Sequence, residues 1–512
     1  MLNTSEAITT LSVILVALGF LVWGYSRAKK YKKLGILAWL QSVVLITPWL
    51  FVFGLFALGI YINFVGILAL LLVSSGIYIY LGNRLRAEGQ AELQRQRAAQ
   101  RLAQQGTPTA AEPTEELKAA IAPGNAQSAI ATDPDTLAAV PQIPSEDLQK
   151  IKEIFGIDTF FATETISYQE GAIFKGNLRS ESEVAYEKLS SKLRDRFEEK
   201  YRLFLVENPE GRPIVIILPS SNDPKPATLA QKNLAVVLIL ATFATSLEAA
   251  GLLMGFDWFS QLGRYSEALP IALGVWLVLI VHELGHRVLA QQHAVRLSFP
   301  LLLPSWQIGT FGAITRFESH LPNRSSLFDI AFAGPAAGGL MSLVLLVGGF
   351  LLSHAGSLFT IPSEFFQGSI LVGTLAKAIL GDRLTQTVVD VHPLTMVGWI
   401  GLVITALNLM PAGQLDGGRI VQAIYGRKTA RRTTIATLVV LGIVAIVNPG
   451  NPIPLYWGIV ILFLQRDLER PSLNELSEPD DARAALGLLV LFLMLATLIP
   501  LSPALAGRLG IG

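Results

Sequence analysis

Two of the six histidines in this 512-residue chain stand four positions apart with a glutamate between them, in Val281-His282-Glu283-Leu284-Gly285-His286. On a helix, residues i and i+4 share a face, so His282 and His286 can offer two imidazoles to one metal ion while Glu283 sits beside them. Such a pair suits zinc, and the carboxylate can act as general base on a water that the metal activates. The plainer alternative is a chance pair on a helix face. A hydrolytic zinc centre uses three protein ligands and keeps a position open, so a third ligand is required. The candidate is Asp416, in Asn408-Leu-Met-Pro411-Ala-Gly-Gln-Leu-Asp416-Gly417-Gly418-Arg419. This stretch follows the apolar run Leu394 to Leu409, and its proline and glycines interrupt the helix where an acidic side chain could face inward. A membrane-edge loop ending in an Asp-Gly turn is the alternative here.

The surroundings of the histidine pair are apolar on every side from Ile271 to Ile280, which puts that helix in lipid or in a protein core. Ionisable groups in such a place are functional candidates. The whole chain is 51% hydrophobic and 15% charged, with a mean hydropathy of +0.49. That is too apolar for a soluble enzyme of this size and fits a multi-pass membrane protein. There is no cysteine. Disulfides, thiol catalysis and cysteine-ligated zinc are therefore excluded, and any metal must use histidine and carboxylate. A net charge of +1 neither favours nor opposes a polyanionic partner, and no nucleic acid is expected.

With both motifs in hand, the sequence resembles the site-2 protease family of intramembrane zinc metalloproteases. The resemblance rests on His-Glu-Leu-Gly-His in one membrane helix and Asn-x-x-Pro-x-x-x-x-Asp-Gly in a later one, and it covers residues 230 to 470. It implies one Zn2+ on His282, His286 and Asp416, Glu283 as the base, and Asn408 near the reacting carbonyl. Upstream, Gly176-Asn177-Leu178-Arg179 resembles the Gly-Asn-Leu-Arg-Gly motif of a plant plastid and cyanobacterial branch, named after ethylene-dependent gravitropism-deficient and yellow-green mutants. Here Ser180 stands in place of the final glycine.

The elements that must carry this chemistry fall into four stretches. Residues 1–81 are expected to form a membrane anchor of about three helices: one over Ile8 to Tyr25 and two within Leu34 to Leu81. The start lacks the basic residues of a secretory leader and the arginine-rich character of a transit peptide, as in a mature or bacterial form. Arg27, Lys29, Lys30, Lys32 and Lys33 follow the first crossing, and Arg84, Arg86, Arg95, Arg97 and Arg101 follow the third. Both of those ends are therefore placed on the cytoplasmic face, which would be the stroma in a plastid. Residues 82–142 read as a helical extension and then a linker rich in Ala, Pro, Thr, Gln and Ser. Residues 143–226 read as a small soluble α+β domain. Its helices run over Ser145 to Ile154 and Ser182 to Lys200, its strands over Thr159 to Ile166 and Gly171 to Phe174, and a hairpin turns at Asn208 to Arg212. Its Gly-Asn-Leu-Arg segment reads as a structural turn or a substrate-guiding surface, because a phosphate-binding loop would need more glycines and a helix start.

Residues 227–512 read as the site-2-protease-like membrane core. The run Asn233 to Met254 crosses outward and the helix with His282 crosses back, with Arg287 and Arg296 at its exit. Arg419, Arg427, Lys428, Arg431 and Arg432 follow Asp416, so two charge asymmetries put the three candidate ligands at one depth, near the cytoplasmic side. Between them, Leu297 to Ser325 is apolar but broken, with Phe311 to Thr315 strand-like. Irregular backbone at membrane depth must be buried in protein or line a cavity. By resemblance, this region could pair with an extended substrate. The small residues Ala333 to Gly339 read as helix packing. About eight crossings are expected in all.

The fold class expected is mainly α: a polytopic membrane protein with a helical intramembrane metalloprotease core plus a small soluble α+β domain. His293, His320 and His354 read as solvated or interfacial side chains. His392 opens the helix leading toward Asp416, with a supporting role at the metal as an option. A transmembrane substrate must unwind locally before cleavage, because its carbonyls are hidden in internal hydrogen bonds. The partners implied are the lipid bilayer and membrane protein substrates, single-pass anchors above all, in a bacterial (plasma or thylakoid) or plastid membrane. Two other classes compete: a proteolytically silent chaperone of the same fold, marked by loss of a ligand, and a zinc transporter, which needs a polar path through the spans.

Overall fold

Backbone surrounded by lipid must hydrogen-bond to itself, and the long apolar runs accordingly fold as helices in the computed structural model. The structure describes residues 143–511 apart from 169, 209, 306 and 466, together with residues 24–29, 32–57, 70, 74, 76–78, 80–82, 84–85 and 88. The expected first crossing up to residue 23 and the linker from residue 89 lie outside the described residues. So does most of the third crossing. Helix α1 (Lys32–Ala57) belongs to an N-terminal unit distinct from the one holding residues 133–445 and 451–512.

The second unit begins with a small α+β domain. Helix α2 (Ser145–Lys152) leads to β1 (Phe160–Tyr168) and β2 (Gly171–Leu178), then α3 (Ser182–Phe197), β3 (Tyr201–Glu207) and β4 (Pro213–Pro219). The four strands form one antiparallel sheet in the order β1-β2-β4-β3. Its core is Ile151, Ile154, Phe160, Phe174, Leu189, Leu205 and Ile217, all fully buried. Asn208 Oδ1 accepts from the backbone N–H groups of Glu210 and Arg212 at 3.0 and 2.8 Å, which closes the β3–β4 hairpin where expected.

The Gly-Asn-Leu-Arg segment is a strand rather than a turn. Gly176, Asn177 and Leu178 extend β2 and pair with Ala162, Phe161 and Phe160. A side chain at Gly176 would lie 2.1 Å from the Phe161 carbonyl, beside an irregularity in β1 between Ala162 and Glu164. The glycine thus serves close approach of two strands rather than a change of direction.

The membrane core follows. Helix α4 (Leu229–Leu253) starts on a capping box in which Thr228 and Gln231 satisfy each other's backbone N–H. Then come α5 (Tyr265–Gln292), the hairpin β5 (Leu301–Ser305) and β6 (Gly309–Ile314), and α6 (Arg324–Leu352). A short ribbon of β7 (Phe359–Pro362) and β8 (Val388–Val391) flanks α7 (Ile370–Leu380). Helices α8 (Pro393–Asn408), α9 (Asp416–Val447), α10 (Ile453–Val460), α11 (Asp481–Leu498) and α12 (Pro503–Leu509) complete it. Among the described residues, five helices (α4, α5, α6, α9 and α11) are long and apolar enough to cross a membrane, and two shorter apolar helices begin at Pro393 and Ile453. The chain is a mainly helical, multi-pass membrane protein with a small sheet domain, as its composition implies.

Helix α6 packs along α5 on one side and α8 on the other. Small residues allow this: Gly285 of α5 faces the Ala333 carbonyl, and Gly398 of α8 faces Leu346. The short hairpin lies against α4, with Thr245 Oγ1 donating to Gly309 O at 2.6 Å.

Candidate active site

Helix α5 brings His282 and His286 to one face, both under 9% exposed. Their Nε2 atoms lie 3.2 Å apart. His286 Nδ1 is 2.7 Å from the Ile330 carbonyl on α6. A carbonyl can only accept, so Nδ1 carries the proton and Nε2 turns a lone pair inward. The close fit of α6 against these rings explains the run of small residues from Ala333 to Gly339. A Cβ on Gly334 would fall 2.2 Å from His286 Nε2, and one on Gly338 would fall 2.8 Å from His282 Cβ.

Asp416 arrives from far along the chain as the first residue of α9, not in an Asp-Gly loop turn. Its Oδ2 lies 3.3 Å from His282 Nε2 and 3.4 Å from His286 Nε2. A carboxylate facing an imidazole lone pair is repulsive unless a cation lies between them. The three donor separations match the edge of a tetrahedron whose centre is about 2.0–2.1 Å from each ligand, roughly 3.3–3.4 Å. This buried trio could therefore hold a metal ion, and the donor set of two nitrogens and one carboxylate oxygen fits zinc.

Around the trio lies a second layer of bonds. Thr315 Oγ1, just past β6, donates to Glu283 Oε1 at 2.8 Å, and Arg287 Nη2 lies 3.7 Å from the same oxygen. Arg419, one turn after Asp416, places Nη1 3.9 Å from Asp416 Oδ1. Its Nη2 donates to the Thr315 carbonyl at 2.7 Å and to Glu469 Oε2 at 3.0 Å, over the ring of Phe317. Asn408, at the end of α8, donates from Nδ2 to the carbonyls of Phe311 at 3.2 Å and Ile404 at 2.9 Å. Strand β6 is thus held at its middle by Asn408 and, just past its end, by Glu283 through Thr315.

Residues 270–447 match the family described as peptidase family M50, and residues 149–225 match the EGY3 middle domain. The chain is 38% identical to "Probable zinc metalloprotease EGY2, chloroplastic" of Arabidopsis thaliana, over 72% of this chain and 67% of that one. It is 36% identical to "Probable zinc metalloprotease EGY1, chloroplastic" of Oryza sativa subsp. japonica, over 72% and 70%. With "Probable zinc metallopeptidase EGY3, chloroplastic" of Arabidopsis thaliana the identity is 32%, over 69% and 65%. The chain belongs to peptidase family M50. No solved structure matches it. Family M50 membership bears out the resemblance read from the two motifs.

The structure brings His282, His286 and Asp416 into mutual contact, with Glu283 on the same turn of α5, and Asn408, at the end of α8, bonded to the Phe311 carbonyl of β6. Several others were not legible. Ile330 acts through its backbone, Thr315 and Glu469 have no motif, and Arg419 reads in sequence as a topological charge although it is buried in an ion pair. The other histidines differ from expectation as well. His293 Nε2 meets Asp329 Oδ2 at 3.0 Å, in a cluster with Arg483, and His320 Nε2 meets Asp223 Oδ1 at 3.0 Å. Neither is simply solvated. Burial, more than any other influence on it, depresses the pKa of His320. His392 caps α8 through Leu394 N and is separated from Asn408 by the helix, about 24 Å at 1.5 Å per residue. It takes no part at the metal site.

Gly334 offers a test of this packing. Because the His286 ring is pinned by Ile330, a methyl group at Gly334 must displace it or spread α5 from α6. Gly334→Ala is expected to weaken zinc binding about 10- to 100-fold, the range for lost supporting partners. Competition with a chromophoric chelator measures this, and wild-type affinity in the variant would show that the rings are not held by α6.

Proposed function

We propose that this membrane zinc metalloprotease of family M50 cleaves single-pass membrane anchors within or next to their transmembrane segments, using His282, His286 and Asp416 for the metal and Glu283 as base. The observation that carries the reading is the arrival of Asp416, 130 positions after His286, within 3.4 Å of both imidazoles. When bound, zinc supplies Lewis-acid polarisation of a carbonyl and lowers the pKa of a water toward neutrality. Glu283 takes the proton from the attacking water and returns it to the leaving amine. The Thr315 hydroxyl fixes which oxygen of Glu283 faces outward for that exchange. Asn408 serves near the reacting carbonyl, where its hold on Phe311 sets the line of β6. A two-stranded hairpin leaves strand edges unpaired within its own sheet, and an unwound substrate segment in extended form suits such an edge.

The plastid names of the relatives and the basic residues near the site support a plastid or cyanobacterial membrane with the active site toward the stroma or cytoplasm. Arg419 drops out of that charge argument because Glu469 neutralises it; Arg427, Lys428, Arg431 and Arg432 remain. Retention of all three ligands disfavours a silent chaperone.

The substrate reading is tested with a panel of tagged single-pass anchors. Anchors with Gly or Pro near the cytoplasmic end are expected to be cleaved at least tenfold faster than all-leucine anchors, with product ends mapping inside or beside the span. Equal rates for both, or cuts confined to soluble tails, would refute it.

A further inference from the structure

The active-site layer does not end at Arg419. Glu469 is 7% exposed, and its Oε2 accepts from both Nε at 3.1 Å and Nη2 at 3.0 Å of Arg419. Its backbone is pinned reciprocally to the Gln422 amide: Glu469 N donates to Gln422 Oε1 at 3.0 Å, and Gln422 Nε2 donates to Glu469 O at 3.2 Å. Arg419 then touches both arms of the site, 3.9 Å from Asp416 Oδ1 and bonded to the carbonyl of Thr315, whose hydroxyl holds Glu283.

The chain carrying Glu469 continues as a strap, residues 469–478, in which Ser472, Asn474, Glu475 and Ser477 are buried. Leu205 N in β3 donates to Leu473 O at 2.8 Å, and Glu475 N donates to Leu205 O at 2.9 Å. On its other side, Leu473 N and Asn474 N donate to Leu321 O and Pro322 O, just before α6 begins. Glu475 Oε2 folds the strap by accepting from Ser472 N and Oγ at 2.7 and 2.9 Å, and Ser477 Oγ bonds Glu183 of α3 at 2.7 Å. The strap is thereby bridged to the edge strand of the sheet domain at Leu205 and is the mount for Glu469 at once.

We propose that Glu469 is a positioning residue for proteolysis: through Arg419 it sets the orientation of Glu283 and Asp416, and the strap ties that orientation to the seating of the sheet domain. The inference rests on Glu283 acting as the base. A neutral side chain at 469 frees the guanidinium to swing toward Asp416 or away from Thr315, which degrades both arms without removing a ligand.

The test uses the full-length protein in detergent with a tagged single-pass substrate. Glu469→Gln is expected to lower kcat, per zinc-loaded enzyme, about 10- to 100-fold with KM within twofold, and to weaken zinc several-fold in chelator competition. Glu469→Asp recovers part of both. Glu475→Ala, remote from the metal, lowers kcat in the same way, and the double variant is no worse than the poorer single by more than about twofold, as for residues acting in one path. Wild-type kcat and zinc affinity in Glu469→Gln overturn the proposal, and so does a loss accounted for entirely by the unfolded fraction. Additive effects in the double variant overturn the strap linkage. Failure of the base assignment is seen separately, as cleavage by Glu283→Ala.

Discussion

Replacing Glu283 by alanine is expected to lower turnover of a membrane substrate by roughly 10²–10⁴-fold while leaving zinc bound. In free energy this is about 3–5 kcal/mol of lost transition-state stabilisation. The reasoning is geometric. Glu283 shares a helix turn with both imidazoles yet stands outside the metal trio, and its Oε1 is occupied by the Thr315 hydroxyl. One oxygen is thus held and the other left for proton exchange. Glu283→Gln keeps the shape and the bond from Thr315 but cannot take up the proton, so it should be nearly as inactive as the alanine variant. Steady-state cleavage, with metal content measured on the same samples, checks this. Either variant retaining turnover within tenfold of wild type would remove Glu283 from the chemistry.

The second large effect is expected at Asp416. Asp416→Ala takes away one of three donors and leaves two imidazole lone pairs 3.2 Å apart in a buried site. Two neutral ligands cannot offset the desolvation of a divalent cation there, so zinc affinity should fall by more than about 100-fold, beyond what loss of an outer partner costs. Arg419 compounds the effect, because it would stand next to the vacated position with only Glu469 to balance it. Proteolysis should vanish with the metal. Asp416→Asn keeps the volume but not the charge and should behave alike.

The residues that give up their meaning from type and spacing alone are the ones whose chemistry is scarce. Two histidines four apart in an apolar run have few other uses, and an aspartate flanked by a proline and glycines after a second apolar run is as rare. Their meeting follows from α5 packing along α6, whose Arg324 in turn holds the start of α9 through the carbonyls of Ala423 and Ile424. The supporting residues were hidden because their function depends on contacts between distant positions. Thr315 is one of many threonines, Glu469 lies 50 positions after Arg419, and Ile330 contributes only a carbonyl. The Gly-Asn-Leu-Arg segment misled because glycine usually marks turns, whereas at Gly176 it serves the crowding of two strands. His293 and His320 misled because polar neighbours in sequence say nothing of Asp329 and Asp223, their partners in space. The packing of Ala333 to Gly339 was legible as packing, but not that it is packed against the imidazoles of His282 and His286.

One zinc held by residues from two helices at a peptide-cleaving site is the centre of the proposed mechanism. The most direct measurement is zinc K-edge absorption on the purified wild-type protein and on Asp416→Ala, with cleavage of the same tagged substrate followed in parallel. The account predicts one zinc per wild-type chain with two imidazole nitrogens and carboxylate oxygen in its shell, and neither zinc nor cleavage in the variant. Wild-type zinc occupancy with an unchanged shell in Asp416→Ala, or cleavage that persists there, would contradict it.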